Sequence, residues 1–313
     1  MRILVTGVSG FVGRHLVQAL ARDGRHYLIG VSRRQVAPIP SVECITGIEI
    51  CSGTDWSECL RGVDVIVHCA ARAHFPRAVT ESDIQNMEDT NVGGTLSLAA
   101  QAANAGVKRF IFISSIGVLG DSSDEPFDGT QEPKPQSIYA QTKLDAEKGL
   151  ISICDEKGLE FVIIRPPMVY GPEAPGNFTR LVRFSSLPLP LGKATNLRSF
   201  VSIWNLVDLI STCCDHPRAS NQVLLVCDGQ DVTTKDFLKA IAHANGTKCY
   251  LPPIPAGVMH FILSALGKEN IWQSLFGRLQ VDDSKTRELL GWKPSLSFTE
   301  SMKRCFQSRH EVE

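Results

Sequence analysis

The segment Ile3-Leu4-Val5-Thr6-Gly7-Val8-Ser9-Gly10-Phe11-Val12-Gly13 constrains the fold more than any other. A short apolar run leads into three glycines at intervals of three, and then into a helical pattern. Phe11, Val12, His15, Leu16, Ala19 and Leu20 recur at helical spacing up to about Asp23. A strand that turns directly into a helix gathers bare backbone N–H groups and the positive helix end at one point. A pyrophosphate fits there when no side chain blocks its approach. The spacing is G-x-x-G-x-x-G rather than the G-x-G-x-x-G usually associated with dinucleotides. The competing explanation is a close-packed strand-to-helix turn that binds nothing.

Further strand-like runs follow at Tyr27–Ser32, Val63–Cys69, Arg109–Ser114 and Phe161–Arg165, with helical stretches near Trp56–Leu60, Asn91–Ala105 and Ser137–Lys157. Runs such as Val63-Asp64-Val65-Ile66-Val67-His68-Cys69-Ala70 are apolar nearly throughout, as strands buried on both faces are. The alternation predicts an α/β fold, a doubly wound parallel sheet. After Arg165 the texture changes. Pro166, Pro167, Pro172, Pro175, Pro188 and Pro190 punctuate a loop-rich stretch. Strands are expected at Phe200–Ile203 and Val223–Cys227 with a helix between them, then helices at Thr234–Ala244 and Ser284–Leu290. The 313 residues are enough for a full core and a second lobe. The expected division is a dinucleotide-binding domain of 1–168 and 199–228, and a smaller, discontinuous C-terminal substrate lobe of 169–198 and 229–313.

With 32 Lys and Arg against 33 Asp and Glu, and no basic stripe, nothing favours a nucleic-acid partner. The ten cysteines contain no Cys-x-x-Cys pair and no accompanying His cluster, so they read as reduced, mostly buried thiols rather than a metal site. That usage suits a reducing compartment and a cytoplasmic protein. The apolar N-terminus is interrupted by glycines and then by Arg14-His15, unlike a signal peptide. No uninterrupted apolar run is long enough for a membrane span. The apolar segment 255–266 is expected to be a buried helix; an interfacial helix is the alternative, though it lacks a basic face.

Three features carry chemistry. Tyr139 and Lys143 stand four apart on an expected helix and share a face. An ammonium beside a phenol favours the phenolate, so the pair can exchange a proton with a substrate oxygen. The alternative is an ordinary Tyr–Lys contact on a solvated face. Ser115 follows a strand at its C-terminal end, where sites of open α/β sheets lie, and its hydroxyl can hold that same oxygen; alone it would be a turn residue. Finally, the second strand ends Ser32-Arg33-Arg34, where a dinucleotide domain usually puts an acid on the ribose hydroxyls. Guanidinium groups there suit a 2′-phosphate. The reading favours NADP(H), with NAD(H) as the alternative.

Taken in order, several motifs resemble the extended short-chain dehydrogenase/reductase family, and within it the sugar-nucleotide epimerase/dehydratase branch. They are Gly7-x-x-Gly10-x-x-Gly13, His68-Cys69-Ala70-Ala71, Asn91-Val92-x-Gly94-Thr95, Ser114-Ser115, Tyr139-x-x-x-Lys143 and Arg165-Pro166-x-x-Val169-Tyr170-Gly171-Pro172. Leu289-Leu290-Gly291-Trp292-Lys293-Pro294 resembles that branch's C-terminal signature, so the likeness runs to about residue 305. The resemblance implies a Rossmann fold. It makes Tyr139 the acid/base, Lys143 its partner and a ribose ligand, and Ser115 the donor to the substrate oxygen. Gly7, Gly10, Phe11, Val12, Ser32, Arg33, Ala70, Ala71, Asn91, Tyr139, Lys143 and Pro166 would line the cofactor. Asn177, Arg198 and Asp282 match positions that hold the nucleotide half of the substrate. Family members often pair as homodimers through the helices at Asn91–Ala105 and Ser137–Lys157.

Dehydratases of this branch carry Asp-Glu after the catalytic hydroxyl residue, whereas Ile116-Gly117-Val118 follows Ser115. Two reactions remain. One is reduction of a UDP-4-keto-6-deoxy-N-acetyl-hexosamine by NADPH, as in surface-polysaccharide sugar synthesis. The other is 4-epimerisation of UDP-glucose or UDP-N-acetylglucosamine with a retained NAD. A non-catalytic dinucleotide sensor is the reading from another class; retention of Ser115, Tyr139 and Lys143 together argues against it.

Overall fold

The computed structural model describes residues 1–73, 80–189, 191, 194–265, 267, 272 and 275–307. Seven parallel strands form one sheet: β1 (Arg2–Thr6), β2 (Tyr27–Ser32), β3 (Val42–Thr46), β4 (Val65–His68), β5 (Arg109–Ile113), β6 (Glu160–Arg165) and, numbered later along the chain, β10 (Gln222–Leu225). Their order is β10-β6-β5-β4-β1-β2-β3. The chain therefore reverses direction of travel beside β1, and the C-terminal strand ends open a crevice there, the usual ligand position in such sheets. The expected doubly wound parallel sheet is what the chain forms.

Helices cover both faces. On one side α1 (Phe11–Asp23) and α6 (Ile203–Asp215) pack on each other and bury Leu16, Val17, Leu20, Leu209 and Ile210 against Val5, Val67 and Ile111. On the other, α3 (Gly94–Asn104) and α4 (Ile138–Lys157) bury Leu98, Ala102, Ala146 and Leu150 against Ile66, Phe110 and Phe112. α4 starts with Ser137, whose hydroxyl accepts from the Ala140 N–H, and stops at Gly158 in the left-handed region.

In the first half of the chain three elements depart from the sequence reading. β3 is an additional strand on the sheet edge. Helix α2 (Glu81–Glu88) is also additional, and a reciprocal Thr80–Asp83 capping box starts it. Trp56–Leu60 is not a helix but a turn, closed by Leu60 N–H to the Trp56 carbonyl at 3.0 Å. The indole of Trp56, fully buried, anchors that turn against Leu60 and Val63, which explains its apolar spacing.

The second half adds β7 (Met168–Tyr170), α5 (Asn177–Phe184), β8 (Leu197–Arg198), β9 (Phe200–Ser202), β11 (Val232–Thr233), α7 (Thr234–Ala244), α8 (Ala256–Ala265), α9 (Ser284–Leu290) and α10 (Phe298–Arg304). β7 pairs in parallel with β9, and β8 antiparallel with β11, each outside the main sheet. The expected boundary at 168/169 therefore falls within β7. A separate aromatic core joins Tyr170, Phe178, Phe200, Phe237 and Phe298. Tyr170 donates its hydroxyl to Asp228 at 2.6 Å, and Asp228 also accepts from the Ser202 N–H and the Asn205 amide. That fully satisfied buried knot joins the aromatic core to α6. α8 corrects the expectation of a buried helix at 255–266. Leu263 is buried, but Val258 is 49 % and Phe261 75 % exposed, so the helix lies on the surface. Residue 266 is outside the described residues. Among the described residues no helix is long and apolar enough to cross a membrane.

Candidate active site

The glycine turn is built around its own carbonyl. Gly7 takes φ +72, and a Cβ there would lie 2.9 Å from the Ala70 backbone. A Cβ on Gly13 would meet the Gly7 carbonyl oxygen at 2.4 Å. Only glycine at both places lets β1 enter α1 so closely. Gly10 N–H donates to the Gly7 carbonyl at 2.8 Å, and no side chain caps the start of α1. The first N–H groups of α1 thus face the crevice as an anion cradle. The Phe11 ring packs edge-on to His15, and a Cβ on Gly171 would touch it at 3.1 Å. Val12 packs into the core beside α6.

A cleft of about 290 Å³ continues from this turn. It is lined by Gly7, Ser9, Gly10, Ser32, Arg33, Arg34, Glu49, Ala70, Ala71 and Arg72, among others. A larger cleft of about 650 Å³ runs along the outer face of α1 and shares only Ser9 with it. The smaller one is lined by six of the twelve sequence-expected cofactor residues, Gly7, Gly10, Ser32, Arg33, Ala70 and Ala71. The Ser32 hydroxyl donates to the Arg34 carbonyl and shapes the turn after β2. Arg33 and Arg72 approach the same Glu49 carboxylate oxygen at 3.8 and 3.5 Å. Three guanidinium groups and one carboxylate line this end of the cleft, and Asp83 and Asp89 act on Arg72 from outside it. Arg72 and Glu49 escaped the sequence reading: Glu49 follows the unforeseen β3, and Arg72 follows the His68–Ala71 motif.

Behind the cleft wall runs a buried chain of polar groups. Thr95 donates to the Asn91 carbonyl at 2.7 Å, so it accepts from His68 Nε2–H at 3.0 Å. His68 Nδ1 then accepts from the Thr6 hydroxyl at 2.8 Å, and the Ala70 N–H donates to that hydroxyl at 3.3 Å. Each proton has one place in this order. Burial pushes the His68 pKa down to about 3, with the Lys143 ammonium adding to the effect, so the ring is neutral. Asn91, 1 % exposed, lies one layer behind the wall. Its amide accepts from Arg72 N–H at 2.8 Å and donates to the Arg72 carbonyl and to Thr142, each at 3.0 Å. Thr142 in turn donates to the Tyr139 carbonyl at 2.9 Å. The loop of Ala70 and Ala71 is thereby tied to the helix of Tyr139.

The face of α4 meets the end of β5. Lys143 Nζ donates to the Ile113 carbonyl at 2.8 Å and lies 4.4 Å over the Phe112 ring centroid. It is 5.9 Å from the Tyr139 ring centroid. Ser115 caps a 3-10 turn, Ile116–Val118, accepting from Gly117 N–H at 3.1 Å. That leaves its O–H to donate outward. A Cβ on Gly117 would lie 3.4 Å from Ser115 Oγ and 3.5 Å from Ala140 Cβ, so the serine and the first turn of α4 face each other across a glycine. Pro166, buried, accepts from Ile116 N–H at 2.9 Å and holds this turn in place.

The electrostatics correct one expectation. Burial raises the Tyr139 pKa to about 12, and burial lowers Lys143 to about 8, partly offset by Cys69 and Glu147. With the ammonium aimed at the Ile113 carbonyl, desolvation of the phenol outweighs its field. Unliganded Tyr139 is therefore protonated at neutral pH.

Of the expected substrate residues, Arg198 and Asp282 come onto adjoining segments. Arg198 bridges to Leu279 and donates to the Gly277 carbonyl at 2.8 Å. Asp282 is exposed, and its N–H donates to the Phe127 carbonyl at 2.8 Å. Asn177, also exposed, begins α5, which packs against β7 and α7. After Ser115 come buried Ile116 and Val118, with no carboxylate. Among the described residues no cluster of three His, Cys, Asp or Glu side chains suits a metal ion, and all ten cysteines are free thiols.

Residues 3–227 match the model of the NAD dependent epimerase/dehydratase family. The chain belongs to that family. A UDP-glucose 4-epimerase of Vibrio cholerae is 41% identical over 311 residues, covering 98% of this chain and 94% of the relative. The fold is shared with the UDP-glucuronic acid 4-epimerase of Bacillus cereus in complex with NAD, at TM-score 0.80 and 22% identity, covering 100% of this chain and 99% of that one. It is shared too with the Thermotoga maritima UDP-glucose 4-epimerase with UDP-glucose, at TM-score 0.77 and 24% identity over both whole chains. Membership in the epimerase/dehydratase family makes the chain an enzyme of the extended short-chain dehydrogenase type, as its motifs imply. The glycine cradle and the cleft beyond it fit the family's dinucleotide.

Proposed function

We propose that the protein reduces the 4-keto group of a nucleotide-linked sugar, with UDP-4-keto-6-deoxy-N-acetyl-hexosamine as the substrate class and NADPH as reductant. The observation that carries this reading is the arginine-rich end of the cleft. Arg33, Arg34 and Arg72 line the place where a ribose-binding acid would otherwise stand, and their guanidinium groups suit a 2′-phosphate. A cofactor selected by that phosphate is one that is reduced elsewhere and exchanged each turnover.

When bound, the dinucleotide supplies the hydride. The chain does the rest. Ser115 donates its O–H to the 4-keto oxygen and holds it. Tyr139, protonated at neutral pH, delivers its phenolic proton to the same oxygen as negative charge develops there. Lys143, whose Nζ lies 5.9 Å from the Tyr139 ring centroid, stabilises the phenolate that remains. Arg198 and Asp282 hold the nucleotide half, with Asn177 at the start of α5. We assign these three residues to a substrate lobe of 169–198 and 229–313. We further propose a homodimer paired through α3 and α4.

A second reading is 4-epimerisation of UDP-glucose or UDP-N-acetylglucosamine, favoured by the 41% identical relative. It uses the same three residues with Tyr139 acting in both directions. Stoichiometry separates the two. The reductase consumes one NADPH per 4-keto sugar. An epimerase interconverts gluco and galacto sugars with no added cofactor. Net NADPH consumption sustains the first reading; cofactor-free equilibration of the two epimers without it replaces the first by the second.

A further inference from the structure

Glu147 lies one helical turn beyond Lys143, buried at 2 % exposure, in a region no motif singled out. Its carboxylate receives three donors. The Ser114 hydroxyl donates to Oε1, Arg165 Nε donates to Oε1 at 3.0 Å, and Arg165 Nη2 donates to Oε2 at 2.5 Å. Ser114 directly precedes Ser115. Arg165 directly precedes Pro166, whose carbonyl holds the Ile116 N–H at 2.9 Å. The Ser114 N–H also donates to the Ile164 carbonyl at 2.8 Å, closing the link between β5 and β6. One carboxylate on α4 thus grips the residues that flank the catalytic serine turn on two strands. We propose that Glu147, acting through Ser114 and Arg165, is a positioning residue that fixes Ser115 against Tyr139 and Lys143.

An ion pair this deep gains little stability over apolar residues of equal size, whereas removing one partner is costly. Its benefit lies in geometry: acid–base transfer depends steeply on placement, and about 1 Å of drift costs about 100-fold. The carboxylate also faces Lys143 electrostatically. The other groups around that ammonium are His68 on β4, Cys69 just after it, Tyr139 on the same helix, and Arg165 on β6 behind Glu147. Burial holds the Cys69 thiol and the Tyr139 phenol each near 12 and His68 near 3, so none of them titrates between pH 7 and 10. Cys69 and Glu147 are the two neighbours that raise the lysine's pKa, and Glu147→Gln removes only the second.

The proposal rests on the reading of Ser115, Tyr139 and Lys143 as the reacting groups, and two arms keep the two ideas apart. In the kinetic arm, Ser114→Ala and Glu147→Gln should lower kcat by about 10-fold or more with KM shifted less than about 2-fold. In the binding arm, NADPH affinity is measured from pH 7 to 10 without turnover. The pH at which affinity falls should move down in Glu147→Gln, because Lys143 loses its carboxylate, and stay put in Ser114→Ala. An unchanged kcat in Ser114→Ala, or identical midpoints in wild type and Glu147→Gln, overturns the proposal. If Glu147→Gln does not fold, Ser114→Ala, which keeps the ion pair, decides alone by its kcat. If wild type turns over no sugar nucleotide, the proposed function fails, and the binding arm still decides the clamp.

Discussion

The two ends of the candidate site are built on opposite plans. At the catalytic end Lys143 and Glu147 are 2 % exposed and Asn91 is 1 % exposed, and each is held by named partners on neighbouring elements. At the arginine end Arg33 is 51 % and Glu49 63 % exposed, and their pairing at 3.8 Å is of the kind that contributes little to stability. Buried polar groups carry a high cost if left unmatched, so the first end tolerates one arrangement. Exposed charges can be exchanged cheaply. In the proposed function the reaction is assigned to the rigid end, and the choice of cofactor to the soft one.

Breaking the rigid end should give the largest effect. Tyr139→Phe keeps the ring and removes the transferable proton. Its kcat should fall about 100-fold or more, the usual worth of a positioned acid, with NADPH still bound. Steady-state rates beside a fluorescence titration check this. Near-full activity would remove Tyr139 from the mechanism.

The next effect is on stability. His68 has a folded pKa near 3 against an unfolded 6.5. Between those values the unfolded chain binds a proton that the native one refuses, so stability falls as pH falls through that window. The group should cost about 3 kcal/mol between pH 7 and pH 4, at about 1.4 kcal/mol per pH unit below 6.5. Urea unfolding at both pH values should show that difference shrink in His68→Gln. An undiminished difference would mean that acid lability arises elsewhere.

The soft end should give the smallest and most selective change. Arg33→Ala should weaken NADPH binding by about 5- to 150-fold, the range of a charge-assisted contact, and NADH binding little. Paired titrations of both cofactors decide it. Equal losses would show that Arg33 meets no 2′-phosphate and would erase the contrast between the two ends.

The same contrast explains what could be read from the chain. Gly7, Gly10 and Gly13, and Tyr139 with Lys143, are legible because their meaning lies in spacings of three or four residues along one element. Their surroundings are not. Glu147 meets Ser114 across 33 residues and Arg165 across 18, and no local pattern marks such a grip. Glu49 reaches the arginines only because β3 exists, and Val42-Glu43-Cys44-Ile45-Thr46 is a short edge strand without a clear apolar face. Trp56–Leu60 misleads for the opposite reason: its apolar residues anchor a turn into the core and mimic helical spacing. The sign of the Tyr139 shift was also out of reach, since it depends on where the Lys143 ammonium points.

The destination of the hydride decides between reduction and epimerisation. Incubation uses NADPH bearing deuterium on the transferred face and a UDP-4-keto-6-deoxy-N-acetyl-hexosamine, with the product read by NMR and mass spectrometry. Reduction places one deuterium at C4 of the product and consumes one NADPH per sugar. No label at C4, together with cofactor-free equilibration of UDP-glucose or UDP-N-acetylglucosamine with its galacto epimer, would contradict it.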